Sequence, residues 1–153
     1  MYSTLLTVHS IFRWAVAIGI IYTLYRAYTG IASNRAFGNT DDKSRRFTVV
    51  AAHIQLVIGL ILYFVSPLTQ YFISNFSAAV KVRDIRFYGM EHAIVMIIAV
   101  ALITVGSAVS KKKSEDSAKF KALAIWLTIA LILLLLMVPW PISPFSSRPW
   151  IRF

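Results

Sequence analysis

The sequence predicts an all-α integral membrane protein, a single domain over residues 1–153 built from four transmembrane helices. Of its 153 residues 58% are hydrophobic and only 14% are charged. A soluble domain has about 45–50% apolar and about 25% charged residues. The apolar residues are collected in four segments, each of which approaches the roughly 20 residues that a helix needs to cross a bilayer. Composition and segment length together therefore indicate a four-helix membrane bundle.

The four predicted spans cover residues 4–28, 47–65, 87–110 and 120–138. Backbone groups in lipid must hydrogen-bond internally, so we expect each span to be a full helix. The first span has no basic region before it and no A-x-A-like cleavage site near its end. It is therefore predicted to be a retained helix and not a cleaved signal peptide.

Basic residues predict the orientation. The first and third connections, with Arg26 at the edge, carry ten of them: Arg26, Arg35, Lys43, Arg45, Arg46, Lys111, Lys112, Lys113, Lys119 and Lys121. The second connection and the tail carry five: Lys81, Arg83, Arg86, Arg148 and Arg152. The positive-inside rule then places both termini outside (N-out/C-out).

Two segments outside the spans have a distinctive composition. The second connection, PLTQYFISNFSAAVKV, is aromatic and moderately apolar, which favours a short interfacial segment. The tail, PWPISPFSSRPWIRF, has prolines too close together for a helix. Its aromatic residues Trp140, Phe145 and Trp150 suit the headgroup layer. We expect a non-helical tail that folds back over the outer end of the bundle.

Composition also excludes several functions. The chain has no cysteine, which excludes disulfides, iron–sulfur clusters and covalent c-type haem. Its formal charge of +10 is explained by basic membrane loops. No run of basic residues interleaved with aromatics lies outside the spans, so we expect no nucleic-acid binding.

All three histidines, His9, His53 and His92, fall inside predicted spans. Ionisable residues within membrane helices usually face the interior and mark cofactors, ion paths or partners. His9 and His92 each lie about five residues, or roughly 7–8 Å, inside the outer ends of two parallel helices. His53 is roughly 10 Å or more deeper. Two histidines at equal depth can ligate one haem iron from opposite faces.

These depths predict one b-type haem between the first and third spans, held by His9 and His92. Gly89, one turn before His92, would let a macrocycle approach. Arg83, Arg86 and Arg148 could pair with the haem propionates. An alternative is a copper or zinc ion held by His9, His92 and Glu91, with Met90 or Met96 as a soft ligand for copper(I).

Arg13 and Glu91 are charged residues within the spans. Arg13 lies one turn from His9 on the same helix face. Glu91 is the only acidic residue in any predicted span. We expect these two to pair with each other or with the cofactor. If a quinol is oxidised nearby, Glu91 is the natural proton acceptor, and His53 is a candidate for contact with the other edge of the quinone.

Several motifs resemble a family of small bacterial membrane proteins often labelled "cytochrome b", which are loosely similar to copper-resistance D-type four-helix proteins. They are HSIFRW (residues 9–14), GMEHAIVM (89–96), LITVG (102–106), VPWP (138–141) and RPW (148–150). The resemblance covers nearly the whole chain. It implies a multi-pass protein of the bacterial inner membrane. Its implied site comprises His9, His53 and His92, with the charged companions Arg13, Glu91 and Arg148.

The leading hypothesis is a membrane cytochrome that passes electrons between the quinone pool and an outer-side partner, as a subunit of a larger assembly. One alternative is a structural or assembly subunit without a cofactor. A second is a copper-handling protein. An electron-transfer or accessory role fits a bundle this small better than a stand-alone enzyme does.

Overall fold

The chain folds almost entirely into helices. The computed structural model describes residues 1–143, 145–146 and 148–150. It is 82% helical and has no strand in the described residues. Its helices are α1 (Tyr2–Ala32), α2 (Asn39–Val65), α3 (Pro67–Ser74), α4 (Phe76–Ala79), α5 (Arg83–Arg86), a π-helical turn (Phe87–Glu91), α6 (His92–Lys112) and α7 (Asp116–Met137).

Four helical stretches are long and apolar enough to cross a membrane: Tyr2–Ala32, Asn39–Val65, Arg83–Lys112 and Asp116–Met137. They confirm the four predicted spans and make the chain a multi-pass membrane protein. Each helix begins or ends beyond its predicted apolar span, because helical hydrogen bonding continues into the polar flanks. The start of α2 shows how: Asp41 Oδ2 accepts a hydrogen bond from the Gly38 backbone N–H at 2.8 Å, which satisfies a donor that the helix leaves free.

The four long helices form a closed ring. α1 packs against α2 and α7, and α6 packs against the same two helices. The ring closes tightly at glycines. A Cβ added to Gly106 would lie 2.4 Å from the Trp126 Cβ, and one added to Gly30 would lie 2.6 Å from the Phe120 ring. Close approach at small residues is the usual way that helices associate in lipid, where hydrophobic burial gives little driving force.

The connections divide the bundle into two ends. One, here called the N-terminal end, carries the start of α1, the short helices α3 to α5, and the tail. The other, here called the loop end, carries residues 33–38 and 113–115. At the loop end Asp41 is 1% exposed and pairs with Arg26 at 2.6 Å and Arg35 at 2.7 Å. These ion pairs tie α1, the first connection and α2 together.

The second connection is helical and the tail is not. Residues 66–86 form α3, α4 and α5, and the described tail residues after Met137 contain no helix. The tail folds back against the side of α1, where Trp14 Nε1 donates a hydrogen bond to the Trp150 carbonyl at 3.1 Å. Arg152, which the orientation argument counted, lies outside the described residues.

Candidate functional site

A cavity of about 220 Å³ opens among the helices in the half of the bundle nearer the N-terminal end. Its walls are mostly apolar and come from α1, α2, α3, α6, α7 and the tail. Its polar lining is a short list: Tyr2, His9, Ser10, Arg13, Gln55, Tyr63, Ser66, Thr69, Tyr88, His92 and Arg148. An apolar cavity with a few convergent polar groups is the usual form of a small-molecule site.

His9 faces this cavity with an unsatisfied ring nitrogen. Its Nδ1 is buried and has no hydrogen-bond partner. Gly59 on α2 leaves room for the ring, since a Cβ there would lie 3.2 Å from His9 Cε1. A buried polar atom without a partner is rare in native structures and costly, so it points to a missing ligand or water.

Gln55 adds a second buried atom of this kind. Its Nε2 donates a hydrogen bond to the His9 carbonyl at 3.0 Å, while its Oε1 is buried without a partner. Gln55 is not among the site residues predicted from the sequence. The available signal was an amide within a predicted span, which is costly in lipid unless it is satisfied by another group.

His92 lines the same cavity from α6, and a hydrogen bond defines its tautomer. The ring Nδ1 lies 2.7 Å from the Met137 carbonyl oxygen at the end of α7. A carbonyl only accepts hydrogen bonds, so Nδ1 carries the hydrogen. In the neutral ring Nε2 then holds a free lone pair, as in histidines that ligate metals.

A π-helical turn, Phe87–Glu91, comes immediately before His92. Turns of this kind occur frequently at functional sites. Gly89 within it lies against Phe72, whose Cγ would be 2.3 Å from an added Cβ. Tyr63 also donates a hydrogen bond to the Gly89 carbonyl at 2.7 Å. The space at Gly89 is therefore taken by Phe72, and the interpretation that it admits a macrocycle is wrong.

Arg13 joins the cavity to the tail. Its Nη2 donates hydrogen bonds to the carbonyls of Pro149, at 3.0 Å, and Trp150. Its guanidinium carbon lies 5.2 Å from the centre of the Trp140 ring. Its Nε is buried without a partner, so one donor is left over.

Arg148 approaches the cavity from the tail itself. Its Nε donates a hydrogen bond to the Tyr88 hydroxyl at 2.8 Å, and its guanidinium lies over the Tyr88 ring. The Tyr88 hydroxyl is also 3.0 Å from Ser146 Oγ. Two guanidinium groups, those of Arg13 and Arg148, thus line the part of the cavity that the tail closes.

The predicted Arg13–Glu91 pair is wrong. Glu91 Oε1 accepts a hydrogen bond from Arg86 Nε at 2.7 Å, and Arg13 binds the tail instead. The physical reason is proximity: Arg86 and Glu91 flank the same π-helical turn. Glu91 is not among the described residues that line the cavity.

His53 lies apart from the other two histidines. It is exposed on the surface of α2 and is not among the described residues that line the cavity. The structure thus brings His9, His92, Arg13 and Arg148 to one cavity and leaves His53 and Glu91 outside it.

Among the described residues, no group of three or more His, Cys, Asp or Glu side chains could hold a metal ion. The copper or zinc set of His9, His92 and Glu91 is therefore not assembled. Of the two methionines considered as copper ligands, Met96 lines the cavity, whereas Met90 is not among its described lining residues. Comparisons of this chain with protein-family models, with curated proteins and with solved structures found no match.

Proposed function

We propose that this chain is a membrane cytochrome in which His9 and His92 would hold the iron of one b-type haem between α1 and α6. It would pass electrons between the quinone pool and a partner at the N-terminal end, as a subunit of a larger assembly. The proposal places it in a bacterial inner membrane with both termini outside. The observation that carries it is the pair of imidazoles in one apolar cavity, each with a ring nitrogen left to bind.

The chemistry of the donor set supports this choice. Haem iron takes neutral imidazole ligands, and bound haem supplies one-electron transfer. His92 is held in the tautomer that exposes Nε2, with the Met137 carbonyl as the outer hydrogen-bond acceptor that orients ligating histidines. His9 offers its buried Nδ1. His9 and His92, from two different helices, would hold the iron without a third protein group.

The two arginines supply the charge that haem carboxylates require. A guanidinium binds a carboxylate through paired, charge-assisted hydrogen bonds. Arg13 has a buried Nε without a partner, and Arg148 lines the same part of the cavity. We therefore assign the propionates to Arg13 and Arg148, in place of the predicted Arg83 and Arg86, which are not among the described lining residues.

Cofactor binding must widen the cavity. Its volume of about 220 Å³ is below the roughly 300–1,000 Å³ of common ligand sites. The wall best able to move is the tail, because it has no helical hydrogen bonds of its own and is held by side-chain contacts such as Arg13 to Trp150. Insertion of haem is thus expected to displace the tail.

The test is an optical spectrum of the detergent-purified protein, oxidised and then reduced with dithionite. A sharp Soret band with resolved α and β bands in the reduced form is expected. His9→Ala and His92→Ala should each remove these low-spin bands, while His53→Ala, the matched control, should retain them. A featureless spectrum from folded protein, or full low-spin haem in the His9→Ala/His92→Ala double variant, would refute the cytochrome.

A structural or assembly subunit is the second candidate. Arg86 and Glu91 satisfy each other, as polar groups of a cofactor-free bundle would. This function predicts neither iron nor copper on elemental analysis, together with a reproducible co-purifying partner. Copper handling is a third candidate, and stoichiometric copper in the same analysis would support it.

A further inference from the structure

His53 is exposed on the surface of α2, one of the four helices long and apolar enough to cross a membrane. It lies six residues after Phe47, or about 9 Å farther into the apolar span. Polar side chains at such depth normally face the bundle interior or a partner. The proposed haem site does not use this residue.

Hydrogen bonding defines what His53 can bind. Its Nδ1 lies 2.7 Å from the Val49 carbonyl oxygen, which only accepts, so Nδ1 carries the hydrogen and Nε2 is an acceptor. The neighbouring Thr104 Oγ1 is 3.4 Å from Nε2, and its single hydrogen goes to the Val100 carbonyl at 2.7 Å. His53 Nε2 thus faces the bilayer as an acceptor that needs a donor.

We propose that the surface formed by His53 and Thr104 binds the ring of a membrane quinol, whose phenolic O–H donates a hydrogen bond to His53 Nε2. A quinol is a donor that dissolves in the apolar layer. The oxidised quinone has carbonyl acceptors only, so this tautomer favours the reduced form. Phospholipid headgroup donors lie near the membrane surface, about 9 Å from His53 by the helical rise from Phe47.

The exposed residues around His53 and Thr104 are small or apolar. Ala101 and Ala108, one turn on either side of Thr104, are small and exposed on α6. Val57 is an exposed apolar residue one turn from His53 on α2. The choice of a quinol rests on the proposed function, which draws on the quinone pool, whereas quinol binding itself is measured independently of haem.

The experiment is nitrogen NMR on the full chain labelled with ¹⁵N-histidine, in phosphatidylcholine nanodiscs under anaerobic conditions. Duroquinol is the probe, and duroquinone and 1,4-dimethoxytetramethylbenzene are ring controls without a donor. We expect a saturable shift of the His53 Nε2 resonance with duroquinol alone.

His53→Phe, which keeps a ring and removes the acceptor, should weaken duroquinol binding about tenfold, as expected for one lost hydrogen bond. Ile129→Ala, a change at an exposed apolar position of α7, should bind duroquinol within about twofold of the unaltered chain.

Equal duroquinol binding in His53→Phe, or equal shifts with the dimethoxy compound, would overturn the proposal. The proposal would also be overturned if the His53 resonance did not change with duroquinol but changed with protein concentration. That result would assign this surface to contact with a second copy of the chain. The Soret band of the same samples separates the two proposals. Duroquinol binding without haem would refute the cytochrome, and haem without duroquinol binding would refute the quinol site.

Discussion

The ring nitrogens of His9 and His92 differ in what holds them. His92 is oriented by the Met137 carbonyl, whereas His9 is positioned by packing against Gly59, and its Nδ1 has no partner. Ligand orientation in haem and metal sites depends on such outer contacts. The His9 side of the proposed site should therefore be the more sensitive to changes in neighbouring volume.

Gly59→Ala tests this sensitivity. The added Cβ would lie 3.2 Å from His9 Cε1, so the ring must shift by a few tenths of an ångström. We expect haem affinity to fall about tenfold, in line with the loss of an outer-sphere support, as measured by haem titration. Ile61→Ala, an exposed change on the same helix, is the control and should leave haem affinity unaltered. Unchanged affinity in Gly59→Ala would contradict the packing account.

Asp41 is a buried acidic residue at the centre of an ion-pair network at the loop end. It is 1% exposed and binds Arg26, Arg35 and the Gly38 N–H, and the hydrogen bond with Asp41 raises the pKa of the Arg35 guanidinium above its ordinary value. Asp41→Asn leaves two arginines without their counter-charge and should lower the free energy of unfolding by about 3 kcal/mol.

Asp116→Asn is its matched control. Asp116 is 40% exposed and pairs with Lys119 at 2.8 Å, so its loss should lower the free energy of unfolding far less than Asp41→Asn does. Unfolding in mixed micelles by increasing SDS gives both values. Equal destabilisation by the two substitutions would show that burial of Asp41 does not govern its contribution.

The sequence predicts some features of the candidate site and not others. Equal depth, read from helical rise alone, linked His9 with His92, and both line one cavity. The hydrogen-bond partners of the charged side chains could not be predicted from helical rise. Arg13 binds backbone carbonyls about 136 positions away, and no helical periodicity encodes a contact with an irregular tail. Gln55 was not predicted as a site residue because it is uncharged.

At the scale of elements, the apolar spans could be predicted and their irregular flanks could not. Segment length and composition place the four spans. The π-helical turn depends on the packing of Phe72 on Gly89 and on the hydrogen bond from Tyr63, which are contacts between distant segments. Those contacts are tertiary, so the helix propensities of the residues along the chain do not predict them.

The tail is the element that Arg13 controls. Arg13→Leu removes the hydrogen bonds to Pro149 and Trp150, and the ring contacts of Trp150 with Trp14 and Trp140 should loosen with them. We expect tryptophan fluorescence to shift to the red and iodide quenching to increase. Lys81→Leu, the same loss of charge at an exposed position of the N-terminal end, should change neither. Identical quenching in Arg13→Leu would mean that the tail is held by its aromatic contacts alone.

At the scale of the whole molecule, charge is divided between the two ends of the bundle. Ten basic residues lie at or near the loop end, whereas four of the described basic residues, Lys81, Arg83, Arg86 and Arg148, lie at the N-terminal end or in the tail. The excess predicts that the loop end faces the cytoplasm. Because the chain has no cysteine, a single introduced thiol reports one location without background.

Ser77→Cys and Ser114→Cys, at exposed positions of opposite ends, test the orientation. A membrane-impermeant maleimide added to intact spheroplasts should label Ser77→Cys and leave Ser114→Cys unlabelled. Detergent should make both reactive, which controls for accessibility. The reverse labelling pattern would invert the orientation and place the proposed haem on the cytoplasmic side.

The position of the tail has a consequence for biosynthesis. Arg148 and Pro149 are translated after all four spans, yet they form part of the wall around His9 and His92. They follow α7 along the chain, so they can reach α1 only once α7 has left the ribosome. The side of the cavity that the tail forms therefore closes last, after the helices have supplied the other walls.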